Sequence, residues 1–257
     1  MKHQLQYYLS FLLRSTNAHG VHSPFVYQLL TACFYDKSSH KAYQLLKQHR
    51  NDLRKDSSAI EVTDFGAGSR VFTSHTRTVS AIAKHAGISV KRQQLLYRLV
   101  RYFNSTTILE LGTSVGMSTA AMALGNPKAI LQTVEGCSNT LAIAKKYFSA
   151  YKLTNIQPYA MTFEAFFEKQ PLHTYDLVFI DGNHNKERTL QYFETLLPFL
   201  HNDSVVLFDD IYWSKEMTEA WREVYQSKHV TVSIDTFQWG LVFFRKEQPK
   251  QHFCIRL

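Results

Sequence analysis

Cysteine is scarce in this sequence: Cys33, Cys137 and Cys254 are the three in 257 residues, and no C-x-x-C spacing occurs. That excludes a disulfide framework and a cysteine-rich zinc site, and it suits a reducing, cytoplasmic setting. Long apolar runs are missing too. No stretch reaches the roughly 18 residues of a membrane span, and the segment from Tyr7 to Leu13 is too short and too polar at its edges for a signal peptide. No membrane partner is expected. Low-complexity tracts are absent, and nothing repeats beyond two glycine turns. With 45% hydrophobic and 19% charged residues, the composition is that of a globular protein rather than a disordered one.

Positive charge is in excess, +8 overall, and it is uneven. Residues 1–105 carry 15 Lys/Arg against 5 Asp/Glu, whereas residues 106–257 carry 14 against 16. A basic N-terminal part can steer an acidic substrate or nucleic acid. The basic residues are dispersed, however, and solvated helix faces explain them at least as well. Nucleic acid is therefore a lesser alternative to a small-molecule partner, and a homodimer is left open.

Residues 1–56 read as helices, with Leu5, Tyr8, Leu9, Leu12 and Leu13, then Val26, Leu29, Leu30 and Cys33, at helical spacing. Ser23 followed by Pro24 is an N-cap and first-turn pair. His19 and His22 lack a third ligand nearby and are read as packing in the turn or lining the site entrance. From Thr107 the pattern alternates. Strands 108–111, 131–135, 155–159, 176–181 and 204–209 interleave with helices 116–124, 138–150, 163–168, 186–200 and 215–227. Strands 229–235 and 239–245 then form an antiparallel hairpin at the sheet edge. The alternation predicts an α/β, Rossmann-like, mostly parallel sheet. The division expected is an N-terminal helical cap or substrate region, 1–105, and a cofactor-binding domain, 106–257.

The central stretch runs from Ile108 to Ala121, a buried strand breaking into a glycine turn and then a helix. Gly112 and Gly116 let the backbone approach a ligand, while Thr113, Ser114 and Ser118 offer hydroxyls and the N–H groups of a helix start. The spacing is G-x-x-x-G, not the G-x-G-x-x-G that receives a pyrophosphate. Glu110, two positions earlier, would repel phosphate and attract a cation. S-adenosylmethionine, with a positive amino group and sulfonium, suits that arrangement. Glu135 ends the next strand, placed to hold ribose hydroxyls. Gly136 beside it and Thr162 after the third strand complete the expected cofactor set.

A second glycine stretch, Asp64, Gly66, Gly68 and Arg70, competes for the same role, but it is followed by helices expected over 76–86 and 89–103 and by no strand ending in an acid. It is read as a lid or substrate loop, or as a plain turn. Acids also end later strands: Asp181, and the pair Asp209 and Asp210. Acids at strand ends are poor core residues and good ligand residues.

From about Ser89 onward the chain resembles the catechol O-methyltransferase-like class I methyltransferases. The resemblance rests on I-L-E-L-G-T-S-x-G-x-S-T, V-E-G, Y-D-L-V-F-I-D-G-N-H, and L-F-D-D with Trp213 shortly after. It implies an S-adenosylmethionine-dependent O-methyltransferase in which Asp181, Asp209 and Asp210 hold a divalent cation, Mg²⁺ or Ca²⁺ given oxygen ligands. The family places a lysine base three positions after the first acid. His184 stands there in this chain, a candidate base at neutral pH beside Asp181, and the departure leaves metal dependence open. The expected reaction is methyl transfer to a small-molecule oxygen. The alternatives are an RNA or protein methyltransferase using the basic N-terminal region, or a non-catalytic binding protein that keeps the fold.

Overall fold

The computed structural model describes residues 2–65, 74–169 and 173–257. In chain order the helices and strands begin with α1 (Lys2–Arg14), α2 (Pro24–Leu29), α3 (Ala42–Lys55), β1 (Ala59–Glu61), β2 (Thr76–Thr78), α4 (Val79–His85) and α5 (Val90–Tyr102). There follow β3 (Thr107–Leu111), α6 (Met117–Gly125), β4 (Ile130–Glu135), α7 (Ser138–Ala150), β5 (Ile156–Ala160) and α8 (Phe163–Lys169). The last are β6 (Tyr175–Ile180), α9 (Lys186–Leu196), β7 (Leu200–Asp209), α10 (Lys215–Gln226), β8 (Val232–Asp235), β9 (Trp239–Phe243) and β10 (Gln251–Cys254). No described helix is long and apolar enough to cross a membrane.

The chain forms two compact units, Asp36–Pro171 and Met1–Tyr35 with Leu172–Leu257. In the first, β3, β4 and β5 lie side by side in parallel. Their connections, α6 and α7, are the crossovers that parallel neighbours require. Ile108, Leu109 and Leu111 are wholly buried, as a strand covered on both faces demands. Helix α5 starts at an N-cap, Ser89, whose hydroxyl accepts the Arg92 N–H at 3.3 Å, and buries Leu95, Leu96, Leu99 and Val100.

In the second unit the strand order is β10-β8-β9-β7-β6. β6 and β7 are parallel, β9 is antiparallel to β7 and β8, and β10 returns parallel to β8. Ser23 caps α2 as expected, accepting the Val26 N–H at 3.4 Å with Pro24 in the first turn.

Four local expectations change. The β8–β9 hairpin is not the edge, because β10 pairs with β8 outside it. Helix α9 stops at Leu196 rather than running to 200, since Pro198 diverts the chain into a 3₁₀ turn, Leu197–Phe199. β7 begins at Leu200, four residues earlier than its apolar run. Residues 76–78, expected to open a helix, instead pair with 59–61 as the β1–β2 hairpin, and Thr78 then caps α4.

Candidate functional site

The turn between β3 and α6 is built around positive φ angles: +108° at Gly112, +48° at Ser114 and +84° at Gly116. Gly116 is needed twice over. Besides its left-handed backbone, a Cβ there would lie 2.5 Å from the Phe148 ring. The turn is pinned to β4, with the Gly112 N–H donating to the Val134 carbonyl at 2.9 Å.

Glu110 lies under this turn and is fully buried. Its Oε1 accepts the Ser118 hydroxyl, and its Oε2 accepts the hydroxyls of Thr119 at 2.5 Å and Thr133 at 2.6 Å. Burial pushes its pKa up to about 7, an effect the three hydroxyls oppose and the nearby Glu135 charge reinforces. Glu110 thus ties the strand end to the first residues of α6.

Glu135, at the end of β4, grips the same turn from the other side. Its Oε2 accepts the Ser114 N–H and its Oε1 the Cys137 N–H, both at 2.9 Å. Burial raises its pKa, against these two backbone donors, and Asp64 adds a like charge. The described beginning of the second glycine stretch, Asp64 and Phe65, therefore lies near this turn. Asn139 Nδ2 donates to the Glu61 carbonyl at 2.9 Å, and a Cβ on Gly136 would meet the Phe65 ring at 2.6 Å. Asp64 and Phe65 lie along the β4–α7 turn; Gly66, Gly68 and Arg70 fall outside the described residues. Thr162 caps the start of α8, its hydroxyl accepting the Ala165 N–H at 3.3 Å.

The other unit carries the remaining strand-end acids. Ile180 of β6 pairs with Phe208 of β7, and Asp181 and Asp209 each directly follow these last paired residues. Asn183, His184 and Asp210 have φ of +69°, +40° and +50°. Non-glycine residues held there are strained, and such strain clusters at functional sites. Asn183 Nδ2 donates to the Tyr192 hydroxyl at 2.7 Å. The His184 ring lies 5.7 Å from that of Trp213, and the Trp213 N–H donates to the Asp210 carbonyl at 2.8 Å. Asp181, His184, Asp209, Asp210 and Trp213 thus belong to one end of the β6–β7 pair.

Among the described residues, Asp181, Asp209 and Asp210 do not bring three ligand atoms within 4.8 Å of one another. Asp209 is 7% exposed, and its Oδ1 is occupied by the Asp210 N–H at 2.8 Å. Among the described residues, the cluster whose ligand atoms converge is elsewhere: Asp235, His252 and Cys254. It is knit into the second unit, with Asp235 accepting the Tyr212 hydroxyl at 2.5 Å and the Phe237 N–H at 2.7 Å, and Arg14 supplying a positive charge.

Residues 109–211 match the family model described as a methyltransferase domain. A comparison with curated proteins finds no match. Among solved structures, a methyltransferase of Podospora anserina bound to S-adenosylhomocysteine aligns at 15% identity over 88% of this chain and 97% of its own, with a TM-score of 0.61. An O-methyltransferase of Streptomyces achromogenes involved in tomaymycin synthesis, in complex with S-adenosylmethionine, aligns at 15% identity over 81% and 91%, TM-score 0.55. An O-methyltransferase of Bacillus cereus in complex with S-adenosylhomocysteine gives 15% identity, 81% and 93%, and 0.54. Residues 109–211 thus carry the signature of a methyltransferase domain, and the chain shares the Rossmann-like fold of these methyltransferase structures over most of its length.

Proposed function

We propose that the protein transfers a methyl group from S-adenosylmethionine to an oxygen of a small molecule, in the cytoplasm. The observation that carries this reading is the β3–α6 turn, left-handed at Gly112, Ser114 and Gly116 and braced by buried Glu110 and half-buried Glu135. A backbone shaped in this way admits a ligand at van der Waals distance. The similar O-methyltransferase structures with bound S-adenosylmethionine or S-adenosylhomocysteine support the choice of cofactor and of acceptor atom. The three free cysteines support a reducing compartment.

In this reading Glu135 accepts the ribose hydroxyls, with Gly136 keeping the approach open. Gly112, Thr113, Ser114, Gly116 and Ser118 surround the methionine part, and Thr162 completes the set. Glu110 is a positioning residue that holds Ser118 and Thr119 in place. The acceptor oxygen attacks the methyl carbon in line, the C–O bond forms as the C–S bond breaks, and the electron pair stays on sulfur as S-adenosylhomocysteine. Most of the acceleration comes from alignment of the two reactants. His184 takes the acceptor's proton, Asp181 lies beside it in the sequence, and Trp213 walls the acceptor.

The test is S-adenosylhomocysteine release with a panel of phenolic and other hydroxyl acceptors. Release that requires an acceptor, with the methyl on oxygen in the product, is expected. Methylation of nitrogen, RNA or protein alone would overturn the acceptor assignment.

A further inference from the structure

A cavity of about 690 Å³ lies within the Asp36–Pro171 unit between α3 and the beginning of α5. None of the residues of the β3–α6 turn lines it. Lys41, Lys47, Arg50 and Arg54 line one side, Gln93 and Gln94 the other, and the lining contains no carboxylate. Lys47, Arg50 and Arg54 are spaced i, i+3, i+7, which puts them on one face of the helix. The acids of the same helix end face elsewhere. Asp52 accepts the Tyr151 hydroxyl at 2.5 Å, and Asp56 the Tyr147 hydroxyl at 3.0 Å. Asp52 and Asp56 thus turn toward α7, while Lys47, Arg50 and Arg54 line the cavity.

Arg50 is the fixed element. It is 7% exposed, its Nε and Nη2 donate to Gln93 Oε1 at 3.3 and 3.0 Å, and Nη2 also donates to the Ile88 carbonyl. Gln93 in turn donates to the Met117 carbonyl at 2.8 Å, so the guanidinium is locked in one orientation. Its Nη1 has no hydrogen bond among the described residues. Burial pushes the Arg50 pKa down, and the neighbouring positive charges of Arg54 and Arg92 push it the same way. Like charges gathered round a concave surface oppose folding unless an anion joins them, and they focus a positive potential into the cavity.

From this geometry we propose that the α3–α5 cavity is a binding site for a phosphate-bearing small molecule, distinct from the cofactor turn. Arg50 supplies a preoriented guanidinium, suited to phosphate oxygens, and Lys47 and Arg54 close on the remaining charge. The volume falls in the range of small-molecule sites, roughly 300–1,000 Å³, and Tyr43 adds an aromatic wall for the ligand's uncharged part. A concave site of this size favours a compact ligand over a nucleic-acid chain.

The experiment is calorimetric titration of the full chain with inorganic pyrophosphate at low ionic strength. The wild type is compared with the double variant Lys47→Ala, Arg54→Ala and with a control pair on exposed residues of the same unit, Lys145→Ala, Lys152→Ala. Arg50 is left alone, because truncating it would unpair Gln93 and the Ile88 carbonyl. The expected result is one saturable site, weakened about 10–100-fold in the first double variant and changed less than about twofold in the control. S-adenosylmethionine binding, measured on the same samples, should not differ among the three proteins, which separates this proposal from the cofactor reading. Lack of saturable binding, or equal loss in both pairs, would overturn it. A single-stranded RNA that binds more tightly than pyrophosphate and is lost with the same two residues would overturn it in favour of a nucleic-acid surface.

Discussion

Thr133 on β4 gives its hydroxyl proton to Glu110 Oε2 on β3 at 2.6 Å, which leaves Thr113 as the donor in the 2.6 Å contact between the two threonines. One buried carboxylate therefore organises β3, β4, the glycine turn and, through Ser118 and Thr119, the start of α6.

This arrangement has a pH signature. The Glu110 pKa is about 7 in the fold against 4.5 ordinarily, so between those values the folded protein holds a proton that the unfolded chain releases. Its contribution to stability is complete below the lower value and is lost as pH rises through the upper one. Buried His49, held down at about 4 by desolvation, works in the opposite direction. The informative quantity is therefore the difference between wild type and Glu110→Gln. Urea unfolding should show wild type losing roughly 1–3 kcal/mol relative to the variant from about pH 5 to pH 8. A pH-independent difference would mean that Glu110 does not titrate there.

Gly116→Ala places a methyl group against Phe148 and forces a left-handed alanine. A loss of roughly 2–4 kcal/mol in unfolding free energy is expected, together with weaker S-adenosylmethionine binding. Stability equal to wild type would show that the turn has room to rearrange.

His184→Ala should lower kcat by about 10²–10⁴-fold at neutral pH while leaving S-adenosylmethionine affinity within about twofold. Equal losses in both would move His184 from the acceptor's proton to the cofactor.

Exhaustive chelation should leave turnover intact, because Asp209 is nearly buried and already bonded to the Asp210 N–H. Activity lost on chelation and restored by Mg²⁺ would show that Asp181, Asp209 and Asp210 rearrange round a cation.

The sequence carried the strand–turn–helix of residues 108–121 and the alternation after Thr107, because apolar strands and glycine spacing are local signals. Strand β10 left no such trace. Gln251–Cys254 has one large apolar side chain, Phe253, and its partner β8 lies some twenty residues back. Glu110 was legible as an acid near the turn, but not as one spent on Ser118, Thr119 and Thr133. Those partners depend on how β3, β4 and α6 pack. Likewise the approach of Asp64 and Phe65 to Glu135 and Gly136, and the gathering of Lys47, Arg50 and Arg54 opposite Gln93, arise from tertiary packing between segments far apart in the chain.

The central claim, that the β3–α6 turn and Glu135 hold S-adenosylmethionine, is tested most directly by calorimetric titration of wild type and Glu135→Ala, with NADH as a control ligand. The account predicts micromolar binding of S-adenosylmethionine to wild type, a loss of about tenfold or more in the variant, and no binding of NADH. Failure of the wild type to bind S-adenosylmethionine, or unchanged affinity in Glu135→Ala, would contradict it.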